Sequence, residues 1–141
     1  MTQVNFYTLS SEEEESRLQF ACRLAEKAVS LGHSVFIRVE DKQAAKRLDN
    51  LLWEFRASSF LPHALAAEST GYQEKILIGD SSQSPAEMEV LINLSTEPNS
   101  GKLEYQKINE ILSTDPEVLA AGRVSYRAYQ GLGYSLETHK L

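Results

Sequence analysis

Strand-like and helix-like stretches alternate along the chain. Residues 4–9 and residues 34–39 are mostly apolar and rich in β-branched or aromatic side chains, so each is expected to form a strand. Between them, apolar residues recur at helical spacing from position 18 to position 29, and Gly32 then ends the helix. Residues 4–39 therefore predict a βαβ unit, whose crossover should be right-handed.

Capping residues predict where the helices begin. Ser11 followed by Glu14 three residues later is a capping box for the first helix, and Asp41 is placed to cap a second one. Asp115 followed by Pro116 is a typical start for the last helix. The side chains expected to face inward from this last helix are Val118, Ala121, Ser125, Ala128 and Leu132.

The middle of the chain gives a less regular pattern. Residues 75–78 and 90–94 look like buried strands, whereas residues 105–112 suit either a helix face or an edge strand. Residues 56–74 are expected to be mostly irregular, although residues 63–68 could form one helical turn. The alternation of strands and helices favours an α/β layer architecture over a sandwich or a bundle.

Composition and charge narrow the functional classes. The 141 residues, 42% hydrophobic and 24% charged, are typical of one soluble globular domain spanning residues 1–141. No apolar run approaches the roughly 20 residues of a membrane span, and the N-terminus lacks the pattern of a signal peptide, so a cytoplasmic location is expected. A net charge of -6 opposes the phosphate neutralisation on which direct nucleic-acid binding depends.

Catalytic, metal and cofactor chemistry lacks a specific motif in this sequence. The first strand-to-helix turn has no glycine-rich phosphate loop, and the glutamates at residues 12–15 would repel a phosphate there. The single cysteine, Cys22, lies on an apolar helix face, and the three histidines are far apart with no carboxylate at metal-ligand spacing. We therefore expect no active site, no metal and no cofactor. The alternative is a nucleotide or flavin site at the turn of residues 79–82.

An aromatic cluster forms the first candidate surface. Trp53 stands at the edge of the apolar stripe of the second helix, shortly before a segment with a second large aromatic residue and a proline. That segment consists of Ser59, Phe60, Leu61, Pro62 and His63. Partly exposed aromatic clusters anchor protein partners. The alternative is that Trp53 and Phe60 pack on each other in a small core of their own.

The last helix carries the second candidate surface. Arg123, Tyr126 and Arg127 are spaced i, i+3 and i+4, so they share one outward face. Two guanidinium groups beside an aromatic ring can receive a peptide that bears a carboxylate and an aromatic side chain, through bidentate hydrogen bonds and stacking. The alternative is that the arginines stabilise the negative end of the helix dipole.

Several short segments, taken in order, carry a family resemblance. They are Phe6, Tyr7 and Leu9; Glu40 and Asp41; Arg47, Leu48, Asp49, Leu52 and Trp53; residues 59–63; residues 126–129; and Gly133, Tyr134 and Leu136. With these segments the chain resembles the chi subunits of bacterial DNA polymerase III holoenzyme along nearly its whole length. The resemblance implies a single three-layer α/β/α domain with a mostly parallel, mixed central sheet, Rossmann-like but without a phosphate loop. It also implies that residues 107–112 form a strand.

The resemblance further implies a role and two partners. Chi subunits are non-catalytic accessory subunits of the clamp-loader complex in DNA replication. They form a heterodimer with the psi subunit, which ties them to the clamp loader, and they bind the acidic C-terminal tail of single-stranded DNA-binding protein, so they reach DNA only indirectly. The positions that match the psi interface are Trp53, Phe60, Leu61, Pro62 and His63. The positions that match the tail site are Arg123, Tyr126 and Arg127, with Leu112 as an apolar wall.

The chain departs from the family pattern at one position of the tail site. One turn before Arg123 many relatives offer another basic residue, whereas this chain has Leu119, so its tail site is expected to depend more on apolar contact. A third hypothesis is direct binding of single-stranded DNA through basic residues and tyrosines. The net charge of -6 opposes it.

Overall fold

The computed structural model describes residues 2–54, 63–65, 75–80, 88–96 and 105–141. These residues form seven strands and three helices. In chain order they are β1 (Gln3–Thr8), α1 (Glu14–Ser30), β2 (Val35–Arg38), α2 (Lys42–Glu54), β3 (His63–Leu65), β4 (Ile76–Gly79), β5 (Val90–Asn93), β6 (Lys107–Leu112), α3 (Pro116–Gly131) and β7 (Ser135–Lys140).

The strands form one sheet in the order β3-β4-β2-β5-β6-β1-β7. Every pairing among the described strands is parallel, so no antiparallel member of the expected mixed sheet occurs in this part of the chain. The prediction of an α/β fold is confirmed. β1 and β2 lie in the same sheet as the βαβ pattern requires, but β5 and β6 separate them.

Helices cover both faces of the sheet. Val35 and Ile37 of β2 point into a core shared with α1 and α2, whereas Phe36 between them points into a core shared with Tyr129 of α3. Successive side chains of a strand point to opposite faces, and central parallel strands covered on both faces are apolar throughout. All four residues of β2, β4 and β5 are buried accordingly. The three-layer α/β/α arrangement is therefore present.

Two predicted helix caps have different outcomes. The Asp41 carboxylate accepts a 2.9 Å hydrogen bond from the Ala44 amide, so the predicted cap of α2 is confirmed. The capping box at Ser11 is wrong, because α1 begins three residues later and its N-cap, Glu13, makes no side-chain cap hydrogen bond. The Ser11 hydroxyl instead accepts a hydrogen bond from the Glu13 amide, 3.1 Å away, in a local turn. The Ser11 carbonyl is also engaged, by the Thr114 amide at 3.0 Å.

Three other expectations about the elements are corrected or decided by the structure. Residues 63–65 form a short strand beside β4, not a helical turn. Residues 107–112, which periodicity left undecided, form β6 as the family resemblance implies. β7 was not anticipated, because its sequence is polar and it lies at the edge of the sheet, where little of it is buried.

The inward face of α3 differs in part from the prediction. Val118 and Ser125 are buried as expected, but the other buried positions are Gly122 and Tyr129. Leu132 is 51% exposed, because the helix ends at Gly131 and Leu132 serves as its C-cap. Tyr129 is fully buried, and this makes it the main anchor of α3 on the sheet.

Candidate functional site

The residues predicted for the tail site lie on the solvent face of α3 and at the end of the neighbouring strand. Arg123 and Arg127 are exposed. Neither guanidinium group forms an ion pair with any residue that the structure describes. The Tyr126 ring is 37% exposed and lies on the ring of Phe6, with 5.3 Å between the centroids. The helix therefore presents two unpaired cations beside an aromatic ring, and Phe6 of β1 supports that ring from the sheet side.

Leu112 is brought against the same helix. It is half-buried at the end of β6 and packs against Gly122, the residue before Arg123. A Cβ atom at position 122 would lie 2.6 Å from Cδ1 and 2.9 Å from Cδ2 of Leu112, closer than non-bonded carbon atoms approach. Glycine at this position therefore lets the leucine lie flat on the helix. No local pattern predicts this contact, since nothing in the sequence marks which strand residue faces Gly122.

A buried polar cluster lies beneath this surface and was missed by sequence reasoning. The Glu110 carboxylate accepts hydrogen bonds at one oxygen, Oε2, from the Tyr129 hydroxyl at 2.6 Å and from the Asn93 amide at 2.9 Å. Arg38 extends the cluster by donating to Asn93 at 3.2 Å. Arg38 and Asn93 are the last residues of β2 and β5, and Glu110 pairs with Asn93 from within β6. The position of Arg38 and Asn93 at strand ends was the only hint that the sequence contained.

Burial dominates the electrostatics of Glu110. It raises the pKa of the Glu110 carboxyl to about 7. Hydrogen bonds from Tyr129 and Asn93, followed by the charges of Arg38 and Arg17, act in the opposite direction and lower that pKa. Removing a carboxylate from water disfavours its charged form unless partners compensate, and here they compensate only in part.

Arg17 joins α1 to the same end of the sheet. Its side chain is buried and donates to the backbone carbonyls of Ile111, at 2.6 Å, and Leu94, at 2.8 Å. Its remaining nitrogen pairs with Glu14 at 3.0 Å. A buried guanidinium needs such partners, because an unpaired buried charge is strongly destabilising. Arg17 is thus a structural cation, unlike the exposed arginines of α3.

The aromatic cluster proposed for the psi interface falls mainly on residues that the structure does not describe. Phe60, Leu61 and Pro62 lie outside the described residues. Trp53 belongs to α2 and His63 begins β3, but the side chains of both also lie outside the described part. The psi surface therefore remains a prediction.

The alternative nucleotide or flavin site lies only partly within the described residues. Gly79 ends β4 and Asp80 follows it, while residues 81 and 82 lie outside the described part. Among the described side chains no three His, Cys, Asp or Glu residues are grouped as metal ligands. Burial, and then the charge of Glu15, raises the pKa of the Cys22 thiol to about 12, so this cysteine is not a poised nucleophile. No helix in the described ranges is long and apolar enough to span a membrane.

The fold and the surface of α3 together define a class of protein. It is a three-layer α/β/α protein with an exposed face of arginines and tyrosine and with no glycine-rich loop at the turn between β1 and α1. Comparison with known proteins gives the particular family. The family model described as "DNA polymerase III chi subunit, HolC" matches residues 1–137.

Three relatives agree with that match. The DNA polymerase III subunit chi of Pseudomonas aeruginosa is 35% identical over 141 residues, covering 100% of this chain and 98% of the relative. The protein of the same name from Escherichia coli is 28% identical over 143 residues, covering 98% and 97%. The one from Haemophilus influenzae is 26% identical over 137 residues, covering 96% and 95%. The chain belongs to the chi subunit family of DNA polymerase III, which confirms the resemblance and places its role in DNA replication.

Proposed function

We propose that this protein is a non-catalytic accessory subunit that links the psi subunit of the clamp loader to the acidic C-terminal tail of single-stranded DNA-binding protein. The observation that carries the tail-binding part is the exposed face of α3, where Arg123 and Arg127 have no ion-pair partner among the described residues and stand beside the exposed Tyr126. DNA is reached through the coating protein, so the net charge of -6 does not oppose this function.

The chemistry of the surface suits an acidic tail that ends in an aromatic residue. The two guanidinium groups pair with the terminal carboxylate and with aspartates of the tail, in bidentate geometry where the approach allows. The final aromatic side chain packs beside Tyr126 and Leu112. Tyr126 is held in place by the Phe6 ring at 5.3 Å, so little side-chain freedom is lost when the peptide binds.

The helix-dipole interpretation of the arginines has less support. Dipole effects fall off within the last turn of a helix, and the last turn of α3 contains no basic residue. The carbonyls at its C-terminus already accept hydrogen bonds from the backbone amides of Leu132, Gly133 and Tyr134. Arg123 and Arg127 are therefore available to a partner. This favours the peptide-receptor interpretation.

Leu119 modifies the tail site in this chain. It is half-buried on α3 at the position where many relatives offer a further basic residue. The site accordingly has one charge fewer and one more apolar side chain. We expect its affinity for the tail to depend less on salt than that of a relative with the third cation, because fewer exposed charge pairs are screened.

The psi-binding part of the proposal rests on the family resemblance. It assigns the heterodimer interface to Trp53, Phe60, Leu61, Pro62 and His63, and through psi it connects the protein to the clamp loader. It requires no cofactor and no metal. The protein would act in the cytoplasm at the replication fork, with the whole chain, residues 1–141, behaving as one domain.

Isothermal titration calorimetry with a synthetic tail peptide tests the proposal. The peptide copies the C-terminus of the single-stranded DNA-binding protein from the same organism. We expect saturable binding that weakens by about tenfold or more in Arg127→Ala and with added salt. The matched control is Arg23→Ala, an exposed arginine of α1 that stacks on Phe20 away from this surface, and it should bind as the wild type does.

A second peptide sharpens the test. The same sequence with a C-terminal amide lacks the terminal carboxylate, so it should bind as weakly to the wild type as the free-acid peptide binds to Arg127→Ala. If titration of the wild type with the free-acid peptide produces no heat, and that peptide competes with no other ligand for the site, the tail-binding function is refuted. Equal weakening by Arg23→Ala would refute its assignment to α3.

A further inference from the structure

A separate pocket of about 230 Å³ lies on the opposite side of the sheet from α3. It opens between the C-terminal half of α1 and the adjoining strands β1 and β6. Leu24 of α1 and Leu31, the C-cap of that helix, form one wall, and Tyr7 of β1 and Val90 of β5 contribute further apolar surface. Lys27 and Lys107 contribute the charged groups. All of its lining residues belong to the described part of the chain, and none of them is a residue of the proposed tail or psi surfaces.

The two lysines of the pocket are exposed and lack counterions. Neither Lys27 nor Lys107 forms an ion pair or a side-chain hydrogen bond with a described residue. Unpaired like charges that line one concave surface attract an anion, because the low-dielectric walls concentrate their field. The protein as a whole carries a net charge of -6, so these two lysines form a local positive region on an otherwise acidic protein.

The end of α1 does not use the charge of Lys27. A lysine in a last helical turn often stabilises free carbonyl groups. Here the backbone amides of Leu31, Gly32 and His33 already donate to the last-turn carbonyls over 2.9–3.1 Å. The helix terminus is therefore capped by the backbone, and the lysine is free to act on a ligand.

The carboxylate of Glu89, which directly precedes the pocket residue Val90, is also engaged. Glu89 accepts hydrogen bonds from the Ser34 amide and the Gln106 side chain, both at 3.2 Å, and it lies 3.4 Å from the His33 ring. Its charge is thus directed toward the loop before β2. It does not pair with either lysine of the pocket.

The apolar lining of the pocket indicates that the rest of the ligand, apart from its anionic group, is apolar and small. Leu31 is 65% exposed, the largest exposed fraction among the large hydrophobic residues described, and it stands at the mouth. The Tyr7 ring is fixed between Phe20, at 5.2 Å, and His139, at 4.8 Å, so it forms a rigid wall. The volume is below the roughly 300–1,000 Å³ of sites for drug-sized ligands, so the ligand is small.

We propose that this pocket binds a small organic anion, in which a carboxylate or phosphate group is attached to a compact apolar or planar body. The anionic group lies between the ammonium groups of Lys27 and Lys107, and the body packs against Leu24, Leu31 and Tyr7. This site is independent of the tail-binding function, because it uses the other face of the sheet and a different helix.

Two probes distinguish the sources of the anion in ¹H–¹⁵N NMR titrations of the full chain. Adenosine 5′-monophosphate supplies a phosphate and indole-3-acetate supplies a carboxylate. At least one of them should shift the backbone amide signals of Lys27, Leu31 and Lys107 in a saturable manner at concentrations up to about 10 mM. The double variant Lys27→Gln/Lys107→Gln should weaken this binding by about tenfold or more.

Matched controls separate this site from general charge effects and from α3. Lys46→Gln removes an exposed lysine of α2 that does not line the pocket, and it should leave the affinity unchanged. Arg127→Ala should likewise leave it unchanged. The proposal is overturned if neither probe shifts the pocket signals, if the shifts are confined to α3, or if Lys46→Gln weakens binding as much as the double variant does.

Discussion

The hydroxyl of Tyr129 donates a 2.6 Å hydrogen bond to the carboxylate of Glu110, which joins α3 to β6 inside the core. Both residues are almost completely buried. The Tyr129 ring also packs edge-on against Phe6, and Phe6 in turn supports Tyr126 on the surface. The exposed ring of the proposed tail site is therefore connected to a buried acid by a continuous series of contacts.

Tyr129→Phe should destabilise the protein. Removing the hydroxyl leaves the buried carboxylate with one partner fewer, and an unsatisfied buried group costs about 1–3 kcal/mol. We expect the free energy of unfolding in urea to fall by that amount. The matched control is Tyr134→Phe, whose half-buried hydroxyl makes no hydrogen bond with a described residue and whose loss should change stability by less than about 0.5 kcal/mol. Equal effects of the two substitutions would contradict the role of the Glu110 contact.

Glu110 should make stability depend on pH between about 4.5 and about 7. Its pKa in the folded protein is raised to about 7 from an ordinary value of 4.5, so the folded state binds more protons than the unfolded state in that interval. The contribution of this group is fully present below about pH 4.5 and is lost as pH rises through about 7, with a total on the order of 3 kcal/mol.

Comparison with Glu110→Gln isolates this contribution from those of other carboxylates. The amide cannot ionise, so the stability of the variant relative to wild type should rise with pH across the same interval and level off above pH 7. Urea unfolding at a series of pH values measures the difference. Parallel curves for the two proteins would show that Glu110 does not titrate in this range.

Gly122→Ala should disturb both the core and the tail site. The added methyl group would lie 2.6 Å from Leu112, so that leucine must move away from α3. Overpacking costs about 1–3 kcal/mol and the helical preference of alanine returns about 1 kcal/mol, so we expect a net loss of stability of up to about 2 kcal/mol together with weaker tail-peptide binding. Gly131→Ala is the control, because no atom lies within 4 Å of its added Cβ, and it should be neutral or slightly stabilising.

A second substitution tests the cause of the Gly122→Ala defect. Leu112→Val shortens the side chain that meets the new methyl group, so the double variant should recover part of the stability lost by Gly122→Ala alone. Additive losses in the double variant would mean that the clash with Leu112 is not the reason for the defect.

Trp53→Ala should reduce retention of the psi subunit. Large aromatic side chains at the centre of an interface contribute much of its binding energy, so we expect at least about a tenfold weaker complex in co-purification and in titration of psi from the same organism. Lys46→Ala, an exposed residue of the same helix, is the control. If Trp53→Ala binds psi as tightly as the wild type does, Trp53 does not belong to the psi interface.

Local sequence signals predicted part of this fold. The continuous apolar runs of β2, β4 and β5 result from burial on both faces of a parallel sheet, and the Asp41 cap depends on residues three positions apart. The pairing of Glu110 with Tyr129 joins different elements across the core, so no local pattern encodes it. The contact between the Ser11 carbonyl and the Thr114 amide also joins residues far apart in the chain, so no local pattern encodes it.

The candidate site likewise has one part that local sequence spacing predicts and another that depends on tertiary packing. The outward face of Arg123, Tyr126 and Arg127 follows from helical spacing alone, because positions i, i+3 and i+4 are neighbours on any helix. The contact of the Tyr126 ring with Phe6 and the packing of Leu112 against Gly122 depend on how α3 lies across the sheet. The polar edge strand β7 was missed because it has no apolar alternation to mark it.

The position of β1 in the sheet has a consequence for synthesis on the ribosome. β1 is translated before the other strands that the structure describes, yet its two neighbours are β6 and β7, and Gln3 pairs with Lys107 and Ser135. At about 5–20 residues per second, the first strand waits roughly 5–20 s after its own translation before the first of its partners is made. The nascent chain therefore cannot pair β1 until residues 107–140 have been translated. A product truncated before residue 107 would leave β1, with Val4, Phe6 and Tyr7, unpaired and exposed to chaperones and proteases.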